Sequence, residues 1–183
     1  MKEETCIILD FLPTGYPDRR HAEPVAQAIG SSFFSLLELV PREDVTLRPE
    51  EEVYIGEGKR DKIRFIKGQI EYRNLTNHSQ RTLEEIIEKL VRKNEARFVD
   101  FFNKGYSITP RMHQFQLLPG IGKKHLIDIL DEKRKKPFES FKDISERVKL
   151  FPDPAKIIVR RIIEELTGDE KYYLFVTQPR RRE

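Results

Sequence analysis

The sequence predicts an α+β protein in which a small β-barrel domain precedes an all-α domain. Three observations carry that expectation. Residues 1–78 break into short apolar runs separated by turn formers, without helical spacing between them. From residue 79 onward apolar residues recur three and four apart. Charge also divides along the chain: residues 1–57 carry a net −7 and residues 58–183 a net +10, within an overall +3. The expected division is a barrel over 1–78, a linking helix over 79–108, and a second domain over 109–183 ending in a strand and tail. Charged residues make up 36% of the chain, against roughly 25% in an ordinary globular domain. Two small domains, with more surface per residue, are consistent with such a composition, and a hyperthermal or salty origin raises the charge in the same way.

The β half reads in order. Cys6–Leu12 is a short apolar strand, followed by a turn-rich loop at Pro13-Thr14-Gly15-Tyr16-Pro17. Phe33–Val40 is an apolar run without clean alternation, as in a strand buried on both faces, and Pro41 stops it. Val53–Ile55 is a third, brief strand. Ile63–Leu75 is a bent strand or strand pair: Ile63 and Phe65 share one parity, Ile70 and Tyr72 the other. The switch at Gly68 predicts a β-bulge, which bends a strand around a small barrel. Strands of this number and length suit an OB-like barrel, with an SH3-like one second.

The α half begins at Thr82-Leu83-Glu84-Glu85, which has the form of a capping box, and its helix is expected to run to about Phe102. Thr109-Pro110 reads as a cap with proline at the first helical position, opening a helix through Met112, Phe115 and Leu118. Gly120 and Gly122 break it. A further helix carries Leu126, Ile127, Ile129 and Leu130 into the basic run Lys133–Lys136. Ser140–Asp143 opens a short helix, and a last one carries Ile157, Ile158, Ile162 and Ile163 towards Gly168. Tyr172–Val176 is expected as a strand, and Arg180–Arg182 as a basic tail. The order helix, tight turn, helix at 110–136 recurs at 141–167.

The string Leu117-Leu118-Pro119-Gly120-Ile121-Gly122-Lys123-Lys124 carries the functional expectation. It resembles the hairpin of the helix-hairpin-helix family. Gly120 and Gly122 have no Cβ and tolerate positive φ, so a phosphate can approach the backbone closely. Ile121 is expected to point inward and pin the helices. The amides around Gly122, Lys123 and Lys124 are the unpaired donors of a helix N-terminus, with the favourable end of the dipole beside them. Lys123, Lys124 and His125 add positive charge. Such a site holds one backbone phosphate and reads no bases. The second copy, Leu150-Phe151-Pro152-Asp153-Pro154, lacks both glycines, and Asp153 repels phosphate.

The chain as a whole, from Asp10-Phe11-Leu12-Pro13-Thr14-Gly15 through Tyr172-Tyr173-Leu174-Phe175-Val176, resembles an uncharacterised archaeal family of predicted RNA-binding proteins. That family joins an OB-like barrel to a helix-hairpin-helix domain. The resemblance implies structured RNA as the partner, ribosomal or transfer RNA among the candidates, and DNA as the alternative. It implies no activity and no site residues. Lys59, Arg60 and Lys62, with Arg64, form an expected basic rim on the barrel, and Tyr54, Phe65 and Tyr72 are candidate stacking platforms.

Two other classes compete. Helix-hairpin-helix DNA glycosylase/lyases carry a Schiff-base lysine just after the second glycine, where Lys124 stands, and an aspartate downstream, for which Asp143 is the candidate. Asp143 is better explained by its place at a helix start, strands replace the expected all-helical domain, and no cysteine cluster is available. The third class is a protein-interaction scaffold. A metal or other cofactor is not expected: His21, His78, His113 and His125 are scattered and Cys6 is the sole cysteine. Cys6, in an apolar run, predicts a buried thiol, so no disulfide framework exists. The N-terminus lacks a signal-peptide apolar region and no run is long enough for a membrane span. The expectation is a cytoplasmic, non-enzymatic protein that binds nucleic acid and not membranes.

Overall fold

The computed structural model describes residues 2–17, 23–168 and 170–178. His21 and the Arg180–Arg182 run lie outside the described residues. The architecture is α+β and falls into two compact units, Met1–Ile86 with Glu165–Glu183, and Ile87–Glu164. No helix among the described residues is long and apolar enough to cross a membrane.

The first unit is built on five antiparallel strands: β1 (Thr5–Leu12), β2 (Val25–Gly30), β3 (Leu36–Pro41), β4 (Glu52–Tyr54) and β5 (Ile63–Gln69), in the order β4-β1-β2-β3-β5. The register slips at three places, the third leaving Arg64 extra between Val40↔Phe65 and Pro41↔Ile63. Leu9 is the extra residue between the Ile8↔Ala28 and Asp10↔Gln27 pairs. Lys67 is the extra residue between Leu39↔Ile66 and Glu38↔Gly68. These irregularities bend their strands, and the sheet curls around Cys6, Ile8, Ala28, Leu39, Val53 and Ile63. The bulge expected at Gly68 is present. The expected closure is not: β4 and β5 do not pair among the described residues, so the sheet is a half-barrel with two edges. Burial pushes the Cys6 thiol up to about 12.

Several boundaries differ from expectation. β2, whose six residues are all buried, was not anticipated, because Ala26, Gln27 and Ala28 lack the bulk that marks a strand. β3 begins at Leu36 because Phe34 takes a positive φ of 54° in the preceding turn. Past Gln69 the chain leaves the sheet through a single 3-10 turn, Tyr72–Asn74. Tyr172–Val176 forms no strand. Instead the buried Glu165 carboxylate accepts the amides of Leu174 (2.7 Å), Phe175 (3.0 Å) and Val176 (2.9 Å).

Helix α1 (Asn77–Lys93) starts earlier than Thr82. Thr76 Oγ1 accepts the Ser79 amide at 3.1 Å and caps it. Thr82 lies inside the helix, its hydroxyl donating back to the His78 carbonyl at 3.1 Å. The single linking helix is in fact two, because Asn94 (φ −109°, ψ 33°) separates α1 from α2 (Glu95–Lys104).

In the second unit the helix expected after Pro110 is absent. Thr109-Pro110-Arg111 turns a two-stranded ribbon, β6 (Ser107–Thr109) with β7 (Met112–His113), and a 3-10 turn follows at Gln114–Leu117. Then come α3 (Lys123–Lys135), α4 (Phe141–Arg147) and α5 (Pro154–Thr167). Phe102 and Phe115 stack with ring centroids 5.6 Å apart, and Phe102 meets Phe151 edge-on at 6.0 Å. Arg147 ties the α3–α4 connection: it donates to the carbonyls of Lys136 (2.7 Å) and Pro137 (3.3 Å) and lies 4.6 Å from the Phe138 ring centre.

Candidate nucleic-acid interface

The Leu118–Lys123 segment forms the tight hairpin that its glycines require. His113 caps the 3-10 turn before it, with Nδ1 accepting the Phe115 amide at 3.2 Å while Gln116 Oε1 accepts the His113 amide at 2.8 Å. The Ile121 amide donates to the Leu118 carbonyl at 3.2 Å. Ile121 is buried at 8% exposure, as a residue pinning two segments must be. Gly120 sits at φ +80°, where a side chain would be strained. Gly122 differs from expectation: it caps α3 in extended conformation, φ −93° and ψ −175°. Its lack of a Cβ therefore serves access and not backbone conformation. A Cβ built at either glycine meets nothing within 4 Å.

The first helical bond of α3 runs from the Leu126 amide to the Gly122 carbonyl at 3.0 Å. The amides of Lys123, Lys124 and His125 precede it and have no acceptor among the described residues. Lys123 and Lys124 are exposed and have no ion-pair partner among those residues. The first turn of α3 holds no acidic residue. Cations at a helix N-terminus oppose its dipole, so this turn concentrates positive potential at a cost to the helix. The opposite end of α3 is organised differently: Arg134 pairs with Asp131 (3.4 Å), Lys135 with Glu132 (2.6 Å), and Lys133 donates to the Gly105 carbonyl (3.1 Å). His125 is half-buried, its ring edge-on to Phe151 at 5.7 Å, so the imidazole is engaged in packing while the amide is one of the three without an acceptor among the described residues.

The second hairpin repeats this geometry with the opposite electrostatics. Leu150 takes φ +55° where Gly120 takes +80°. The Phe151 amide donates to the Val148 carbonyl at 3.3 Å, as Ile121 does to Leu118, and Phe151 is likewise 8% exposed. Here Asp153 closes the helix start. Its Oδ1 accepts the Ala155 amide at 2.9 Å and its Oδ2 pairs with Arg92 at 2.9 Å. Burial acts to raise this carboxyl, but the Arg92 hydrogen bond and the amides of Ala155 and Lys156 outweigh it and hold it below the usual aspartate range. A carboxylate thus occupies at the second hairpin the position that is open at the first. Arg92, on α1, also pairs with Glu88 at 2.7 Å, as their spacing of four implies, but its pairing with Asp153 escaped sequence reasoning because nothing near it in the chain announces that partner.

On the half-barrel the expected basic rim is largely engaged. Lys62 is ion-paired with Glu51. Arg60 Nε donates to the Gly56 carbonyl at 2.8 Å. Lys59, in an exposed turn, has no ion pair among the described residues. Tyr54 is 38% exposed, and its hydroxyl accepts the Gly58 amide at 3.0 Å; Phe65 is 37% exposed. Tyr72 lies in the 3-10 turn and not in the sheet.

Asp143 serves the start of α4. Ser140 Oγ accepts its amide at 3.0 Å, and its own carboxylate accepts the Glu139 amide at 3.0 Å and pairs with Arg147 at 3.1 Å. No group of three or more His, Cys, Asp or Glu able to hold a metal occurs among the described residues.

One polar cluster escaped the sequence entirely. Gln27, fully buried in β2, donates to the Tyr16 hydroxyl and the Asn74 carbonyl (both 2.9 Å) and accepts from the Thr76 amide (2.8 Å) and the Ser79 hydroxyl (2.9 Å). Thr76 Oγ1 donates to Asp10 at 2.7 Å. These groups satisfy one another and fix the start of α1 on the sheet. A glutamine inside Val25–Gly30 was the only available signal.

Comparison with known proteins agrees with this architecture. A family model described as a protein of unknown function, DUF655, matches residues 2–177. An uncharacterised protein of Methanocaldococcus jannaschii is 44% identical over 171 residues, covering 92% of this chain and 77% of that one. A crystal structure of a DUF655 protein from Archaeoglobus fulgidus superposes with a TM-score of 0.87 at 43% identity, covering 96% of this chain and all of that one. The likeness runs through both the half-barrel and the hairpin unit, and the chain belongs to the DUF655 family.

Proposed function

We propose that the protein is a nucleic-acid-binding protein, with RNA favoured over DNA, that grips backbone phosphate at the N-terminus of α3 without reading base sequence. The observation that carries this reading is the contrast between the hairpins. Three amides and two unpaired lysines stand open at Gly122–His125, while Asp153 fills the equivalent place at the second hairpin. A bare helix start beside a glycine cradle favours an anion, and a chain of phosphates supplies one with no side-chain reading. The shared left-handed tips and matching amide-to-carbonyl bonds support reading the two hairpins as a helix-hairpin-helix pair with one active half. The curled sheet is read as an OB-like barrel opened between β4 and β5. The preference for RNA rests on the family resemblance.

Fluorescence anisotropy with a labelled RNA hairpin and a DNA duplex, at several salt concentrations, tests the proposal. Log affinity should fall with log salt at about −0.7 to −0.9 per phosphate contact, and scrambled sequences should bind alike. No binding at low salt, or binding insensitive to salt, refutes it.

A further inference from the structure

The tip of the second hairpin carries a feature that phosphate binding does not use. Leu150 is 88% exposed, the most exposed of the large apolar residues described. It also holds a left-handed backbone at φ +55°, a conformation that an L side chain adopts only under strain. Folding gains nothing from a leucine there: the side chain is not buried, and glycine, which the first hairpin has at the corresponding tip, would relieve the strain. An apolar side chain kept in water on a strained turn is free to meet something outside the fold.

Its surroundings say what that is. Lys149 precedes it, and Lys156 and Arg160 lie four apart on the exposed face of α5. None of the three has an ion-pair partner among the described residues. The acid in this segment, Asp153, is held by Arg92 and the Ala155 amide. An apolar tip preceded by one unpaired cation and leading into a helix whose exposed face carries two more complements a polyanion with apolar faces, which is the chemistry of a nucleic acid: phosphates outside, base faces inside.

We propose that Leu150 is a tooth that inserts against base faces of the nucleic acid whose backbone the first hairpin holds, with Lys149, Lys156 and Arg160 meeting the phosphates on either side. This rests on the nucleic-acid-binding reading above and adds to it. The two hairpins then divide the work: Gly120 keeps one tip bare so that backbone amides reach phosphate, and Leu150 arms the other so that a side chain reaches bases. Contact of this kind reads no base edges; it favours whichever step opens most readily, such as a loop junction, so any preference is for ease of unstacking and not for a defined sequence.

The test uses the full chain and 2-aminopurine, whose fluorescence rises on unstacking, placed in turn at each position of an RNA hairpin and of a DNA duplex of matching sequence. The parent protein should raise the fluorescence at one or two adjacent positions. The RNA and DNA arms show which nucleic acid is opened. Leu150→Ala and Leu150→Gly should abolish that rise and weaken binding roughly tenfold, the loss of one buried leucine side chain. Leu150→Gly should meanwhile raise Tm, which separates the effect from any loss of fold. If the parent binds with the expected salt dependence but no position brightens, the tooth is wrong and the phosphate grip stands. If the parent binds neither probe, both fall. If Leu150→Ala leaves the fluorescence as in the parent but changes the sedimentation coefficient, the tip packs against a second copy of the chain and the proposal is overturned.

Discussion

Gly122→Asp copies into the first hairpin the carboxylate that already closes the second. Gly122 is in extended conformation (φ −93°, ψ −175°) and a Cβ there meets nothing within 4 Å, so an aspartate enters without strain. As an N-cap it improves on glycine by a few tenths of a kcal/mol, and its charge at the helix start adds about 0.3–1 kcal/mol. At about 2–4 °C per kcal/mol for a chain of this size, Tm should rise by about 1–5 °C. Binding should move the other way. The carboxylate occupies the amides that phosphate needs, and losing a charge-assisted contact of about 1.5–3 kcal/mol lowers affinity by roughly 10- to 150-fold. Thermal melting and anisotropy on the same preparation measure both. A variant that is stabilised and binds as tightly as the parent refutes the reasoning, because the capped helix start would then be irrelevant to binding. A variant that is destabilised refutes the geometry.

Lys123→Ala should weaken binding modestly and flatten the salt slope by about 0.7–0.9, one phosphate contact, and an unchanged slope in the salt titration would remove Lys123 from the interface. Borohydride reduction in the presence of abasic DNA should trap no covalent adduct; a cross-link lost on Lys124→Ala would establish lyase chemistry instead. Burial, and then the nearby Lys133, push the His113 imidazole below its ordinary 6.5, against a raising hydrogen bond to the Gly105 backbone. The folded state therefore favours neutral His113, whose Nδ1 must stay unprotonated to accept the Phe115 amide. Its contribution to stability is complete above about pH 6.5 and is lost as pH falls through the lower folded value. Urea midpoints should drop between pH 7.5 and 5.5 in the parent and less in His113→Asn, and equal drops would contradict this.

The sequence displayed the hairpin more clearly than the elements leading into it. Gly120, Ile121 and Gly122 form a local signal, because a tight turn into a helix is specified by a few adjacent residues, and Ile121 is buried as its position demanded. The segment before them misled. Met112, Phe115 and Leu118 recur at a helical interval, but Thr109-Pro110 closes a ribbon turn and the packing of Phe115 against Phe102 is met from a 3-10 turn. Tertiary contact overrode local periodicity there. β2 was invisible because Gln27 is a buried polar residue whose partners, Tyr16, Asn74, Thr76 and Ser79, are spread over the chain. The same holds for the pairing of Arg92 with Asp153, 61 residues apart, which distinguishes the closed hairpin from the open one. The basic rim at Lys59, Arg60 and Lys62 looked like a free patch because sequence shows charges and not their partners; Glu51 and the Gly56 carbonyl engage two of the three.

The open helix start of α3 is the center of the account, and its amides report on it individually. Nitrogen-15 correlation spectra of the full chain, titrated with an unlabelled RNA hairpin at low salt, follow each one. The account predicts the largest saturable shifts at Gly122, Lys123, Lys124 and His125, and clearly smaller ones at Ala155, whose amide Asp153 already holds. Shifts confined to the half-barrel around Lys59, or equal shifts at both helix starts, would contradict it.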